Sequence, residues 1–232
     1  MTNQSSKYKG ENFSIIRDYF DALDESQSSV GGPYKRTELG QFVPSPIMHI
    51  KAALDYLLDR NLIDPFAPLL DAGSGDGRII AIASLYYGIT AIGVEYDAEL
   101  FESSRNHINH LSTLCQSTAS GTIIQGDFTD DLTYKMNGLT FQMFSTVFNY
   151  INNESSIAYK ISQDSPPHTK FVLLGAFPIE EYNSLNLRQN LELIREKDED
   201  DRILVVDRAL SAETWIEPFG TYLQVYENSR SL

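Results

Sequence analysis

The apolar positions along the chain follow two periods. In "NFSIIRDYFDAL" (12–23), Ile16, Tyr19, Phe20 and Leu23 recur at helical spacing, which predicts a short amphipathic helix. Such a helix either packs on the domain surface or covers a pocket as a lid. "VPSPIMHIKAALDYLLDR" (43–60) predicts a second helix, with Ser45 as N-cap, Pro46 as first helical residue, and an apolar face of Ile47, Ile50, Leu54, Leu57 and Leu58. After the turn-like "DPFAP", the strand "LLDA" (69–72) runs into a glycine loop and then into the helix "RIIAIASLYYG", closing at Gly88. "TAIGVE" (90–95) reads as a strand rich in β-branched residues, followed by a helix that Asp97 can cap.

Further strand-like runs, "GTIIQGD", "QMFSTVF" and "KFVLLGA", are separated by polar or helical stretches, the pattern of a parallel sheet covered on both faces. "LELIRE", "ILVVD" and "TYLQVYE" have no long helix between them and predict an antiparallel strand pair at the end. The fold expected is therefore α/β and Rossmann-like, mostly parallel. "SSVGGPYKR" (28–36) reads as a loop, so a polar segment over 1–40 with its short helix precedes one domain over 41–232.

Composition narrows the partners. Acidic residues outnumber basic ones 32 to 18, a formal net charge of -14, which argues against a broad grip on nucleic acid. Cys115 is the single cysteine and cannot form an internal disulfide; it reads as a small buried apolar residue. The opening "MTNQSSKYKGENF" lacks the layout of a secretion signal, and no apolar run approaches the ~18 residues of a membrane span, so a cytoplasmic location is expected.

The chemistry is concentrated in "LLDAGSGDGRII" (69–80). Gly73, Gly75 and Gly77 open the backbone to close approach at the carboxyl end of a strand, where open α/β sheets bind ligands. Asp71 ends the first strand and Glu95 the second, where a carboxylate can accept from a ribose diol. The spacing is G-x-G-x-G, not the G-x-G-x-x-G of dinucleotide sites, and Asp76 lies inside the loop. Carboxylates repel a pyrophosphate but suit an ammonium and a sulfonium, which points to S-adenosylmethionine.

These motifs resemble the class I, seven-stranded methyltransferase family from about residue 40 onward. "DAGSGDG" is similar to its glycine motif, with Asp71, Gly73, Ser74, Gly75 and Gly77. "GVE" is similar to its ribose-binding acid, Glu95 followed by Tyr96. "GDF" is similar to its adenine-binding pair, Asp127 toward the amino group and Phe128 against the ring. The series "GSGDGRI", "GVE", "GDF", "VFNY" more narrowly resembles the lysine methyltransferases that lack a SET domain. That resemblance places Asn149 and Tyr150 at the methyl-transfer channel, and "FVPSP" (42–46), with Val43 and Ser45, over the methionine end of the cofactor. Asp76 departs from the histone-directed members. No "NPPY" or "DPPY" follows the fourth strand, which counts against methylation of a base.

The resemblance implies methyl transfer to a protein side chain, lysine; a small-molecule acceptor or a non-catalytic cofactor-binding module are the alternatives. An aromatic channel disfavours a charged lysine by desolvation. Tyr150, Phe148 and Phe177 are candidate walls, though plain core is the commoner use of such rings. His107 and His110, three residues apart on a helix, read as a solvated face with no third metal ligand. "KDEDDR" (197–202) reads as a charged turn, and Trp215 as a hairpin anchor or a residue at the acceptor entrance.

Overall fold

A computed structural model describes residues 3–28, 32, 34–118, 121–150, 153–175, 179–196, 202–210 and 220–230. Helix α1 (Asn3–Ser28) leads to a hairpin, β1 (Lys35–Thr37) and β2 (Gly40–Phe42), and then to α2 (Ile47–Asp59). The sheet begins with β3 (Leu69–Ala72), followed by α3 (Arg78–Ala81) with a π-helical turn (Ile82–Tyr86), β4 (Ala91–Glu95), α4 (Ala98–Leu114) and β5 (Gly121–Gln125). Then come α5 (Asp131–Lys135), a 3-10 turn (Phe141–Met143), β6 (Thr146–Tyr150), α6 (Glu154–Asp164) and β7 (Lys170–Gly175). The strands β8 (Leu185–Arg195), β9 (Ile203–Asp207) and β10 (Thr221–Asn228) complete the chain.

One eight-stranded sheet carries the order β5-β4-β3-β6-β7-β10-β8-β9. Strands β3 to β7 pair in parallel, and β10 inserts antiparallel between β7 and β8. The expected Rossmann-like, mostly parallel sheet with an antiparallel end is present. The edge strand β9, antiparallel to β8, brings the sheet to eight strands where seven were expected. Among the described residues no helix is long and apolar enough to cross a membrane.

Near-continuous apolar runs form these strands because both sheet faces are covered. On β7, Phe171 and Leu173 enter one apolar cluster with residues of α6, while Val172 and Leu174 enter another with α1, α2 and α3. The first helix belongs to that second cluster: Phe13, Ile16 and Phe20 are buried, and Asn12 Nδ2 donates to Leu85 O at 3.2 Å. Each such side chain contributes roughly 1.5–3 kcal/mol on leaving water, so α1 is held by its own core face. It is also far longer than the short helix the periodicity predicts.

Two local expectations are corrected. Pro46 is extended (φ -62°, ψ 125°) and is itself the N-cap of α2, so the helix starts at Ile47 and Ser45 does not cap it. "QMFSTVF" is not one strand. Its first part is the 3-10 turn, whose spacing brings Phe141 and Phe144 to one side, both buried against Tyr134 at 5.3 and 6.0 Å between ring centroids.

Candidate active site

The chain runs outward from β3 through β4 to β5 and then returns to β6 on the other side of β3. Strand order reverses there, so a crevice opens at the carboxyl ends of β3 and β6, and the loop 73–77 fills its floor. Gly73, Gly75 and Gly77 have φ of 84°, 53° and 84°, a region costly for other residues. Gly73 N and Ser74 N both donate to Val94 O at 3.0 Å, fixing the loop to β4. Ser74 is folded inward over Gly93, where a Cβ would lie 2.6 Å from Ser74 Cβ.

Glu95 ends β4 as expected and braces this loop. Its Oε2 accepts from Gly75 N at 2.7 Å and its Oε1 from Asp97 N at 2.9 Å, with burial raising its pKa. A carboxylate offers about four lone-pair sites, so these bonds leave room for a further donor. Asp97 caps α4 through Glu99 N and Leu100 N. Asp71 is fully buried, and its carboxyl has no hydrogen bond among the described residues. Burial foremost, then the nearby Glu95 and Asp76, hold its pKa well above the ordinary range.

Several expected residues lie where the sequence places them but engage differently. Asp76 is not a free loop charge: Arg78 Nη2 sits 2.6 Å from its Oδ2, and Arg78 Nε 3.0 Å from both oxygens. Asn149 is fully buried, and its Nδ2 donates to Ala72 O at 2.7 Å, so its amide ties β6 to the end of β3. Tyr150 does line the crevice, its pKa pushed up to about 12 by burial. Val43 and Ser45 line the same cavity, and Ser45 O accepts from Arg78.

Asp127 spends its Oδ1 on Thr129 N and Oγ1, both at 2.7 Å. Phe128 is packed in the apolar cluster beneath the sheet, so its ring serves the core first. Tyr96 is 41% exposed and borders an open cleft of about 520 Å³ with Glu38, Asp97, Ala98, Gln125 and Gly126. Phe148 is fully buried core and walls nothing. His107 is not on a solvated face: it is buried and its Nδ1 lies 3.0 Å from Asp76 O. Among the described residues no third metal-ligating side chain joins the pair. Cys115 is buried as expected. Phe177, Trp215 and residues 197–201 of the acidic run lie outside the described residues.

Periodicity and motif did not single out Phe42, Lys35 or Arg78. The Phe42 ring lies on Gly75, where a Cβ would be 2.5 Å from it, and the inner cavity between Phe42, the glycine loop and Tyr150 measures about 40 Å³. Lys35 anchors the hairpin to Asp97 at 2.6 Å and Glu99 at 2.8 Å, and Asn153 Nδ2 holds the hairpin tip through Leu39 O at 3.0 Å. The hairpin thus spans the crevice. Arg78 lies within the run "GSGDGRI", but nothing local in the sequence marks its partners in Ser45 and Asp24.

A small-molecule site needs about 300 Å³ or more. The outer cleft is large enough for an adenosine, and the bare peptide at Gly73 and Gly75 suits a close-lying ligand. The inner cavity takes a methionine chain only with Phe42 displaced.

Residues 22–129, just under half of the chain, match the model of the family Protein-L-isoaspartate(D-aspartate) O-methyltransferase (PCMT). No curated protein matches. Among solved structures, the chain is similar to a protein studied for the conversion of a disulfide bond into a thioacetal group during echinomycin biosynthesis. The TM-score is 0.52 at 15% identity, over 93% of this chain and 94% of that one. It is also similar to MtNAS in complex with MTA and tNA (TM-score 0.51, 13% identity, 95% and 70% covered). The B. subtilis M1A22 tRNA methyltransferase TrmK is a third (TM-score 0.50, 15% identity, 77% and 64% covered). Sheet order, glycine cradle and these likenesses together define the fold as that of the class I methyltransferases.

Proposed function

We propose that the protein transfers the methyl group of S-adenosylmethionine to a protein side chain, lysine. The observation that carries the cofactor part is the glycine loop held at the switch point by Glu95, with the buried carboxyl of Asp71 beneath it. When bound, S-adenosylmethionine supplies an electrophilic methyl group for in-line displacement. Glu95 would accept from the ribose hydroxyls with its remaining lone pairs, and Asp127 from the adenine amino group with the oxygen that Thr129 does not take. Asp71 and the loop N–H groups would hold the methionine end, Ser74 backing the loop against β4. Tyr96 would lie along the adenosine from the open cleft.

Little side-chain chemistry is required for such a transfer, because alignment and exclusion of water supply most of the rate. Tyr150 stays protonated across the physiological range and would wall the approach of the acceptor, with Asn149 fixing its strand end. The family that residues 22–129 resemble is named for a protein substrate, a parallel for a protein acceptor that stops short of the acceptor side of the crevice. A basic acceptor is supported by the net charge of -14, and lysine by the resemblance of "VFNY" at the carboxyl end of β6. The matched residues end before β6 and so cover the cofactor half alone.

The test is incubation of the protein with methyl-labelled cofactor and a basic protein fraction, an RNA fraction and a small-molecule fraction. Label recovered as acid-stable methyllysine is the expected result. Base-labile methyl esters would move the acceptor to a carboxylate, and label confined to RNA or small molecules would overturn the protein acceptor.

A further inference from the structure

The most connected side chain at the site has no part in methyl transfer as described. Arg78 opens α3 directly after the glycine loop and is 3% exposed. Its guanidinium joins three segments distant in sequence. Nε and Nη2 take Asp76 in the loop, Nη1 takes Ser45 O at 2.9 Å, and both terminal nitrogens take Asp24 of α1, at 2.8 and 3.2 Å. The Phe20 ring of α1 lies 5.0 Å from its central carbon. A planar fork of five donors can satisfy these acceptors at once; an ammonium cannot.

Ser45, Asp76 and Arg78 all border the inner cavity. A second route runs parallel: His107 Nδ1 lies 3.0 Å from Asp76 O while its ring packs on Tyr19 and Phe20 of α1, at 5.6 and 6.0 Å. The loop that would hold the methionine end therefore reaches α1 through two contacts, one at the carboxylate of Asp76 and one at its carbonyl.

We propose that Arg78 is a positioning residue that makes the docking of α1 and the ordering of the cofactor loop one event, with Asp24 as the contribution of α1. This rests on the cofactor reading above. Asp24 fixes the guanidinium, the guanidinium fixes Asp76 and Ser45, and those two form walls of the methionine end. The coupling is reciprocal by linkage: α1 tightens the cofactor, and the cofactor tightens α1.

Asp24 is 33% exposed at its side chain, so Asp24→Asn removes the charge without opening the core. In the full chain, S-adenosylhomocysteine binding is measured by calorimetry and amide exchange along α1 is followed with and without it. We expect S-adenosylhomocysteine to slow exchange in α1 of the wild type. Asp24→Asn should weaken binding by about two- to fivefold, the scale of a partly exposed charge pair, and shrink the effect on exchange, with Asp24→Glu restoring part of both. An unchanged dissociation constant in Asp24→Asn, or α1 exchange indifferent to saturating S-adenosylhomocysteine, would overturn the coupling alone. Failure of the wild type to bind S-adenosylhomocysteine would overturn the cofactor reading with it.

Discussion

At the scale of single residues, the site is built from acids in unequal environments. Asp71 is sealed below the loop and Glu95 is held by two N–H groups, while Asp76 is neutralised by Arg78. The consequence for stability has a definite sign. Because the folded pKa of Asp71 is raised, the folded chain holds a proton that the unfolded chain releases above about pH 4. The contribution of Asp71 to stability is therefore fully present below that point and is lost as pH rises through the raised value. Asp71→Asn should flatten this decline, measured as Tm against pH; an equally steep decline in the variant would place its origin elsewhere. The places of Asp71, Glu95 and the glycines were legible in the sequence because strand ends and tight turns are set by local pattern. The inward turn of Asn149 toward Ala72 O was not, since it depends on the pairing of β6 beside β3.

At the scale of elements, the hairpin β1–β2 decides access. It is anchored by Lys35 on the α4 side and through Leu39 O on the α6 side, with Phe42 pressed on Gly75 between them. Removing the ring should enlarge the 40 Å³ cavity and raise the fraction of molecules open to ligand. We expect Phe42→Ala to speed S-adenosylhomocysteine association by about three- to tenfold in stopped flow. An unchanged rate would mean that the ring does not stand in the way of entry. Sequence periodicity found α1 but not its length. It could not place the helix against the glycine loop, because the Asp24–Arg78 contact joins residues 54 apart.

At the scale of the whole molecule, a ligand bound only by the folded chain must stabilise it. S-adenosylhomocysteine at about 100 times its Kd adds about 2.7 kcal/mol, which for a chain of this size raises Tm by roughly 5–10 °C. A flat Tm under those conditions would contradict the assignment of the crevice. The sequence by itself determined the alternation of strands and helices, the parallel sheet and the glycine loop flanked by acids, since period, turn chemistry and strand-end residues act over short stretches of chain. Only the tertiary structure decided which charges are paired, that β9 extends the sheet, that Phe42 lies over Gly75 and that α1 is clamped at the site. Those outcomes depend on desolvation and on contacts between segments that meet only once the sheet has formed.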